Sequence, residues 1–226
     1  MPPLYAHAHA DALMLLLDVG GPRLVDPGTG AYHARPELRE ALRATAAHNT
    51  VELDGRSQSV PGGLFQWLRV ARVIEARDDG AAHDGWAGDG VVHRRTFARE
   101  GEDRVRVVDR LEPVPGVPGA THRAVVRWHV GDGRATIGQG GGEDPGARAD
   151  VRWPDGFTLA LLARLPAGGT ARVRDDGTWA PRFLEPRPCG VVEWIVEGRL
   201  PVVVETTIVL GAAPEGERAT NLHPPE

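Results

Sequence analysis

The sequence has no lysine, so each of its 26 basic side chains is arginine. With a formal net charge of −5 there is no general basic field, which argues against a protein that holds nucleic acid by charge. It has one cysteine, Cys189, which excludes an internal disulfide framework. That thiol sits in a Pro-rich stretch with no base beside it, and reads as structural rather than nucleophilic. Long apolar runs are missing too: the longest, residues 12–17, is far too short for a membrane span. No basic n-region precedes that run, and His7, His9, Asp11 and Asp18 flank it, so no signal peptide is expected. As written, the chain is expected to stay in the cytoplasm. There is no internal repeat.

What the sequence does have in quantity is glycine (29) and proline (19), spread through the chain as turn signals between short strands. Hydrophobic residues make up 41% and charged residues 25%, an ordinary globular balance. The all-arginine usage fits a compositional bias; alternatively, arginine forks suit carboxylate and sulfate groups on a ligand.

Residues 12–18 are apolar, and Gly20-Gly21 then a short run at residues 23–25 predict a β-hairpin. Residues 36–44 are the one helix candidate, with Pro36 at its start and Leu38 and Leu42 on a shared face. From residue 64 onward, alternation predicts strands over 64–76, 91–99, 104–111, 124–130, 158–165, 170–173, 191–196 and 202–209. The Gly/Pro-rich segments 113–119 and 138–146 read as loops. The expected fold is all-β: a large two-layer antiparallel β-sandwich of more than ten strands with one short helix. It spans residues 1–211, with 212–226 as a flexible tail.

The chemistry concentrates near the start. In an extended strand His7, His9 and Asp11 would share one face, a donor set suited to a divalent ion such as zinc. Polar residues on the solvent face of an edge strand would give the same pattern by accident. Two further polar islands follow, Asp26-Pro-Gly-Thr29 and His48-Asn-Thr-Val51. In this order the three segments resemble the C-terminal domain of the heparinase II/III-type polysaccharide lyases. The resemblance continues through residues 54–59, His83-Asp-Gly-Trp86, His93-Arg-Arg95, Val107-Val-Asp-Arg110 and Leu200-Pro-Val-Val-Val204, and so covers nearly the whole chain.

The resemblance implies His9, Asp26 and His48 as ligands of a structural metal, zinc foremost, with His7 and Tyr32 as catalytic residues in the substrate cleft. His33, beside Tyr32, would line it. The family cuts uronic-acid polysaccharides by β-elimination, so the implied partner is an acidic polysaccharide. Its lyases also carry a helical toroid domain that completes the cleft. No such segment is recognisable here, and little activity is expected without it; family members are often periplasmic or secreted.

Simple geometry leaves the carboxylate open. A two-residue turn at Gly20-Gly21 would set Asp26 opposite Leu15, roughly 20 Å along the strand from His9. Either the first strand bends near residues 10–13, or the loop after Asp26 folds back, or Asp11 is the ligand instead. A non-catalytic, metal-stabilised carbohydrate-binding sandwich is the competing reading. A cupin-like metal enzyme lacks the glutamate it would need soon after His9. For His83 and His93, packing is the expectation; His122, His129 and His223 have no partner in the sequence. The six tryptophans read as core by default, though an exposed one could stack on a sugar ring.

Overall fold

The computed structural model describes residues 5–138 and 146–211. The tail at 212–226, His223 within it, and most of the loop expected at 138–146 lie outside the described residues. Among the described residues sixteen strands form in chain order. The first five are β1 (Leu17–Asp18), β2 (Pro22–Leu24), β3 (Val51–Leu53), β4 (Val60–Gly63) and β5 (Gln66–Arg69). Next come β6 (Val73–Arg77), β7 (Gly80–Trp86), β8 (Val91–Glu100), β9 (Arg104–Pro113), β10 (Thr121–His129) and β11 (Arg134–Gly138). The last five are β12 (Ala147–Arg152), β13 (Thr158–Arg164), β14 (Thr170–Arg182), β15 (Glu185–Arg199) and β16 (Val202–Leu210). The single α-helix among the described residues, α1, is Pro36–Arg43, opened by proline and buried through Leu38 and Leu42.

Eight strands pair in the order β11-β12-β13-β16-β9-β8-β7-β6, and four in the order β14-β15-β10-β3. Every pairing is antiparallel. Alternation turns Val107, Leu111, Leu159, Leu161, Val204 and Ile208 of the larger sheet inward. They meet Val51, Leu53, Val126, Trp128, Val192 and Trp194 of the smaller sheet in one apolar core, so the two-layer sandwich is the observed architecture. Trp86, Trp128 and Trp194 are fully buried and Trp153 and Trp179 nearly so; Trp67 is half-exposed.

Three expectations are corrected. Residues 7–11 form no strand; the backbone turns there instead, with positive φ at Tyr5 (47°) and Leu13 (61°). The single strand expected over 64–76 is two, because residues 70–72 break it and the halves join different sheets, β5 pairing with β4 and β6 with β7. Strands β7, β11 and β12 were not anticipated: β7 is poor in β-branched residues and owes its form to pairing with β6 and β8. By contrast, β14 and β15 run well beyond their apolar stretches, forming a long hairpin whose tip is Phe183-Leu184.

Candidate metal centre and cleft face

The irregular segment before β1 is held by side chains rather than by a neighbouring strand. Thr45 Oγ1 and Gln58 Nε2 donate to the Ala10 carbonyl, and Thr50 Oγ1 to that of Ala12. Arg95 Nη1 donates to the carbonyls of Leu13 and Asn49. Asn49 Nδ2 spans the carbonyls of Leu15 (3.0 Å) and Val25 (3.1 Å), while its Oδ1 accepts from the His129 backbone N–H. Asn49 thus ties together the chain leading from His9 and Asp11, the chain leading to Asp26, and strand β10. Buried carbonyls must find donors, and here polar side chains supply them.

This bend resolves the geometric difficulty raised by the hairpin. It brings one ligand atom each of His9, Asp11, Asp26 and His48 within 4.8 Å of one another, so both carboxylates join the cluster. Gly28 N–H donates to Asp26 Oδ1 (2.6 Å) and fixes that carboxylate. Gly28 itself has φ 72°, and a side chain there would strike the Ala180 carbonyl of β14. The loop docks on that strand through Ala180 N–H to Pro27 O (2.7 Å).

His48 is buried and its Nδ1 lies 2.8 Å from the Ala44 carbonyl, so Nδ1 carries the proton and Nε2 presents its lone pair to the cluster. That is the orientation a ligating imidazole receives from an outer partner. His48 Nε2 lies 3.1 Å from His9 Nδ1, and His9 Nε2 lies 2.7 Å from Arg39 Nη1. Because guanidinium only donates, His9 Nε2 accepts and Nδ1–H donates to His48. Burial, then the neighbouring His48 and Arg39, lowers His9 to about 4; burial likewise lowers His48 and raises the Asp11 carboxyl. Both rings are therefore neutral near pH 7, as a metal ligand must be.

His7 does not join this cluster. It is exposed, with Nδ1 3.0 Å from Tyr32 Oη. Two hairpin tips complete that face: Phe65 from the β4–β5 turn and Phe183 from the β14–β15 turn. Their rings lie 5.5 Å and 5.2 Å from that of Tyr32. His33 is exposed and packs 5.0 Å from Phe65. Arg43 anchors the first tip to α1 by donating to the Gly63 (2.7 Å) and Leu64 (3.0 Å) carbonyls while pairing with Glu40. Leu184 N–H to Gly30 O (2.7 Å) anchors the second.

Sequence reasoning passed over Arg39, Asn49, Arg95, Phe65 and Phe183. Asn49 and Arg95 lie inside the motifs His48–Val51 and His93–Arg95; Arg39, Phe65 and Phe183 carry no signal before folding. His83 and His93 are packing residues, as expected, in a buried row. His83 Nε2 meets His93 Nδ1 (3.1 Å), His93 Nε2 meets Asp109 (2.7 Å), and Arg95 forks onto the same carboxylate. His122 pairs with Asp54, and His129 Nδ1 lies 3.1 Å from Asn49 Oδ1. Cys189 is buried, which pushes its thiol up to about 11, as befits an inert thiol.

A family model for the heparinase II/III-like C-terminal domain matches residues 1–219. The chain belongs to this family. Among solved structures, a heparinase III described as the BT4657 gene product superposes with a TM-score of 0.67 at 16% identity, over 90% of this chain and 31% of that one. The heparan sulfate lyase HepC from Pedobacter heparinus gives 0.66 at 18% identity, over 92% of this chain and 32% of that one. A further heparinase III gives 0.67 at 12% identity, over 93% and 31%. At these identities the likeness speaks for the fold. The heparinase-like domain spans about 30% of the length of the structures it matches. No curated protein sequence matches it. Among the described residues no helix is long and apolar enough to cross a membrane.

Proposed function

We propose that this chain is the β-sandwich part of a polysaccharide lyase that cleaves uronic-acid-containing glycans by β-elimination. In this reading His7 and Tyr32 are the catalytic residues, His33 lines the cleft, and a helical toroid domain closes it. The observation that carries the reading is the His7 Nδ1–Tyr32 Oη hydrogen bond of 3.0 Å on an exposed face, rimmed by Phe65 and Phe183.

β-Elimination removes the C5 proton of the uronate, breaks the C4–O bond and forms a C4=C5 double bond without water. It needs a base at C5, a proton for the departing oxygen, and a partner for the uronate carboxylate. A hydrogen-bonded imidazole–phenol pair can pass one proton between its members, so it can accept at C5 and deliver to the leaving oxygen. Half a cleft provides little complementarity to a transition state. The chain alone is therefore expected to show almost no formation of unsaturated, ultraviolet-absorbing product from heparan sulfate or alginate. Adding a helical domain from a full-length relative should restore it, and His7→Ala or Tyr32→Phe should abolish it. Oligosaccharide binding with no product under any pairing would favour a non-catalytic carbohydrate-binding domain.

The second element of the proposal is a structural divalent ion, zinc, held by His9, Asp26 and His48 with Asp11 as fourth donor. Two imidazoles and two carboxylates form a four-donor set that zinc accepts, and the ion would tie the three loops carrying them. Purified chain should hold about one equivalent of zinc, lost in His9→Ala or His48→Ala. Metal-free protein of undiminished melting temperature would refute it.

A further inference from the structure

One open groove, of about 1020 Å³, is lined by Tyr5, Trp67, Leu68, Arg69, Arg72 and Asp84. It adjoins the His7–Tyr32 face at two points. Tyr5 precedes His7 by two residues, and β5 begins directly after Phe65, whose ring lies 6.1 Å from that of His7. From Phe65 to Arg69 the chain advances four residues, roughly 13 Å at the rise of a strand.

The groove's charge is unbalanced. Arg72 is exposed, and no hydrogen bond or ion pair joins its guanidinium among the described residues. Arg69 is also exposed and donates only to the Gly85 carbonyl. The one carboxylate in this lining, Asp84, already accepts the Arg72 backbone N–H at 2.7 Å. Two guanidinium groups therefore meet no opposing carboxylate of their own, in a protein whose net charge is −5. Beside them the Trp67 ring is held in place: its Nε1 donates to the Tyr5 carbonyl (3.1 Å) and Arg43 packs 4.7 Å from the ring centre. A fixed indole beside the Arg72 fork and the exposed Arg69 guanidinium suits a sugar chain bearing carboxylate or sulfate groups.

We propose that this groove is a subsite for units of an acidic polysaccharide beyond those at His7 and Tyr32, with Arg69 and Arg72 pairing with the anionic groups and Trp67 contacting a sugar ring. The proposal rests on the reading of His7 and Tyr32 as the substrate face. Binding of size-defined heparan sulfate oligosaccharides to the full chain tests it, with alginate oligomers as the carboxylate-only arm and dextran as the neutral control.

The octasaccharide should bind the parent chain more tightly than the disaccharide does, and dextran should not bind. Arg72→Gln should lose about ten-fold in octasaccharide affinity, and Arg72→Glu more, while disaccharide affinity stays the same. Among the described residues Arg72 holds nothing else through its guanidinium, so both variants should melt with the parent. Loss toward heparan sulfate alone assigns sulfate as the bound group; loss toward both polymers assigns the carboxylate. Octasaccharide affinity unchanged in Arg72→Glu overturns the proposal, and would assign the groove, with its exposed Leu68, Val73 and Ile74, to a protein neighbour. His7→Ala separates the two readings. If it leaves disaccharide binding intact while Arg72→Glu abolishes octasaccharide binding, the groove stands and the cleft assignment falls.

Discussion

Arg39 is a buried cation with an unusual set of neighbours. It lies in α1, fully enclosed, with Nη1 on His9, Nη2 on the Ala6 carbonyl (3.4 Å) and its guanidinium 5.7 Å from the Tyr32 ring centre. Among the described residues its Nε finds no acceptor, and burial lowers its pKa. Its contact with His9 requires an unprotonated Nε2, whereas a cation seated at His9 Nδ1 would push the ring's proton onto Nε2. Metal binding and the Arg39 contact therefore compete, and like charges add to the conflict. Arg39→Met should tighten zinc binding by about ten-fold, read by competition with a chromophoric chelator. Weaker zinc binding in that variant would show that Arg39 instead supports the ligand geometry. Neither the pairing nor the competition could be read from the sequence, where Arg39 is one more arginine on a helix.

At the scale of the element, the site is made by turns rather than by strands. The 26–30 loop, the β4–β5 hairpin and the tip of the β14–β15 hairpin converge from distant parts of the chain, the first and third pinned by backbone hydrogen bonds and the second by the Arg43 side chain. Gly28 is the least replaceable position among them, because it combines a left-handed backbone with close approach to Ala180. Gly28→Ala should cost roughly 2 kcal/mol, or about 4–8 °C in melting temperature for a chain of this size. It should also weaken zinc retention, because the loop carrying Asp26 must move. A melting temperature and metal content equal to the parent's would show that the loop does not need its present docking. The Pro-Gly-Thr-Gly composition announced a loop here; its partner on β14, some 150 residues later, it did not.

At the scale of the molecule, the sandwich buries several histidines in neutral form. Burial, assisted by His93 and Arg95, lowers His83 to about 2, and burial then His48 and Arg127 lower His129 to about 3. The unfolded chain protonates these rings below about pH 6.5, whereas the folded chain does not until far lower. Their contribution is thus complete above that pH and is lost as the pH falls through it. At pH 5 these two rings alone should cost roughly 4 kcal/mol relative to pH 8. Burial would raise Asp109, but Arg95 and His93 outweigh it and hold the carboxyl down to about 2, so its share is lost only below about pH 4. Urea titrations at pH 8 and pH 5 on the metal-free chain measure this, and equal stability at both would contradict it.

The sequence alone determined the all-β class, the single helix and most long strands, because alternation and turn residues are local properties of the chain. It also marked His7, His9, Asp26, Tyr32 and His48 as the residues of interest. Only the tertiary structure decided how they divide. The expected strand at residues 7–11 is a bend, since Thr45, Thr50, Gln58 and Arg95 satisfy its backbone better than a neighbouring strand does. That bend brings Asp11 and Asp26 to the same cluster, while His7 lies outside it, paired with Tyr32. Hydrogen bonds between residues far apart in sequence leave no periodic trace, so the chain spelled out its strands but not the side chains that hold its loops.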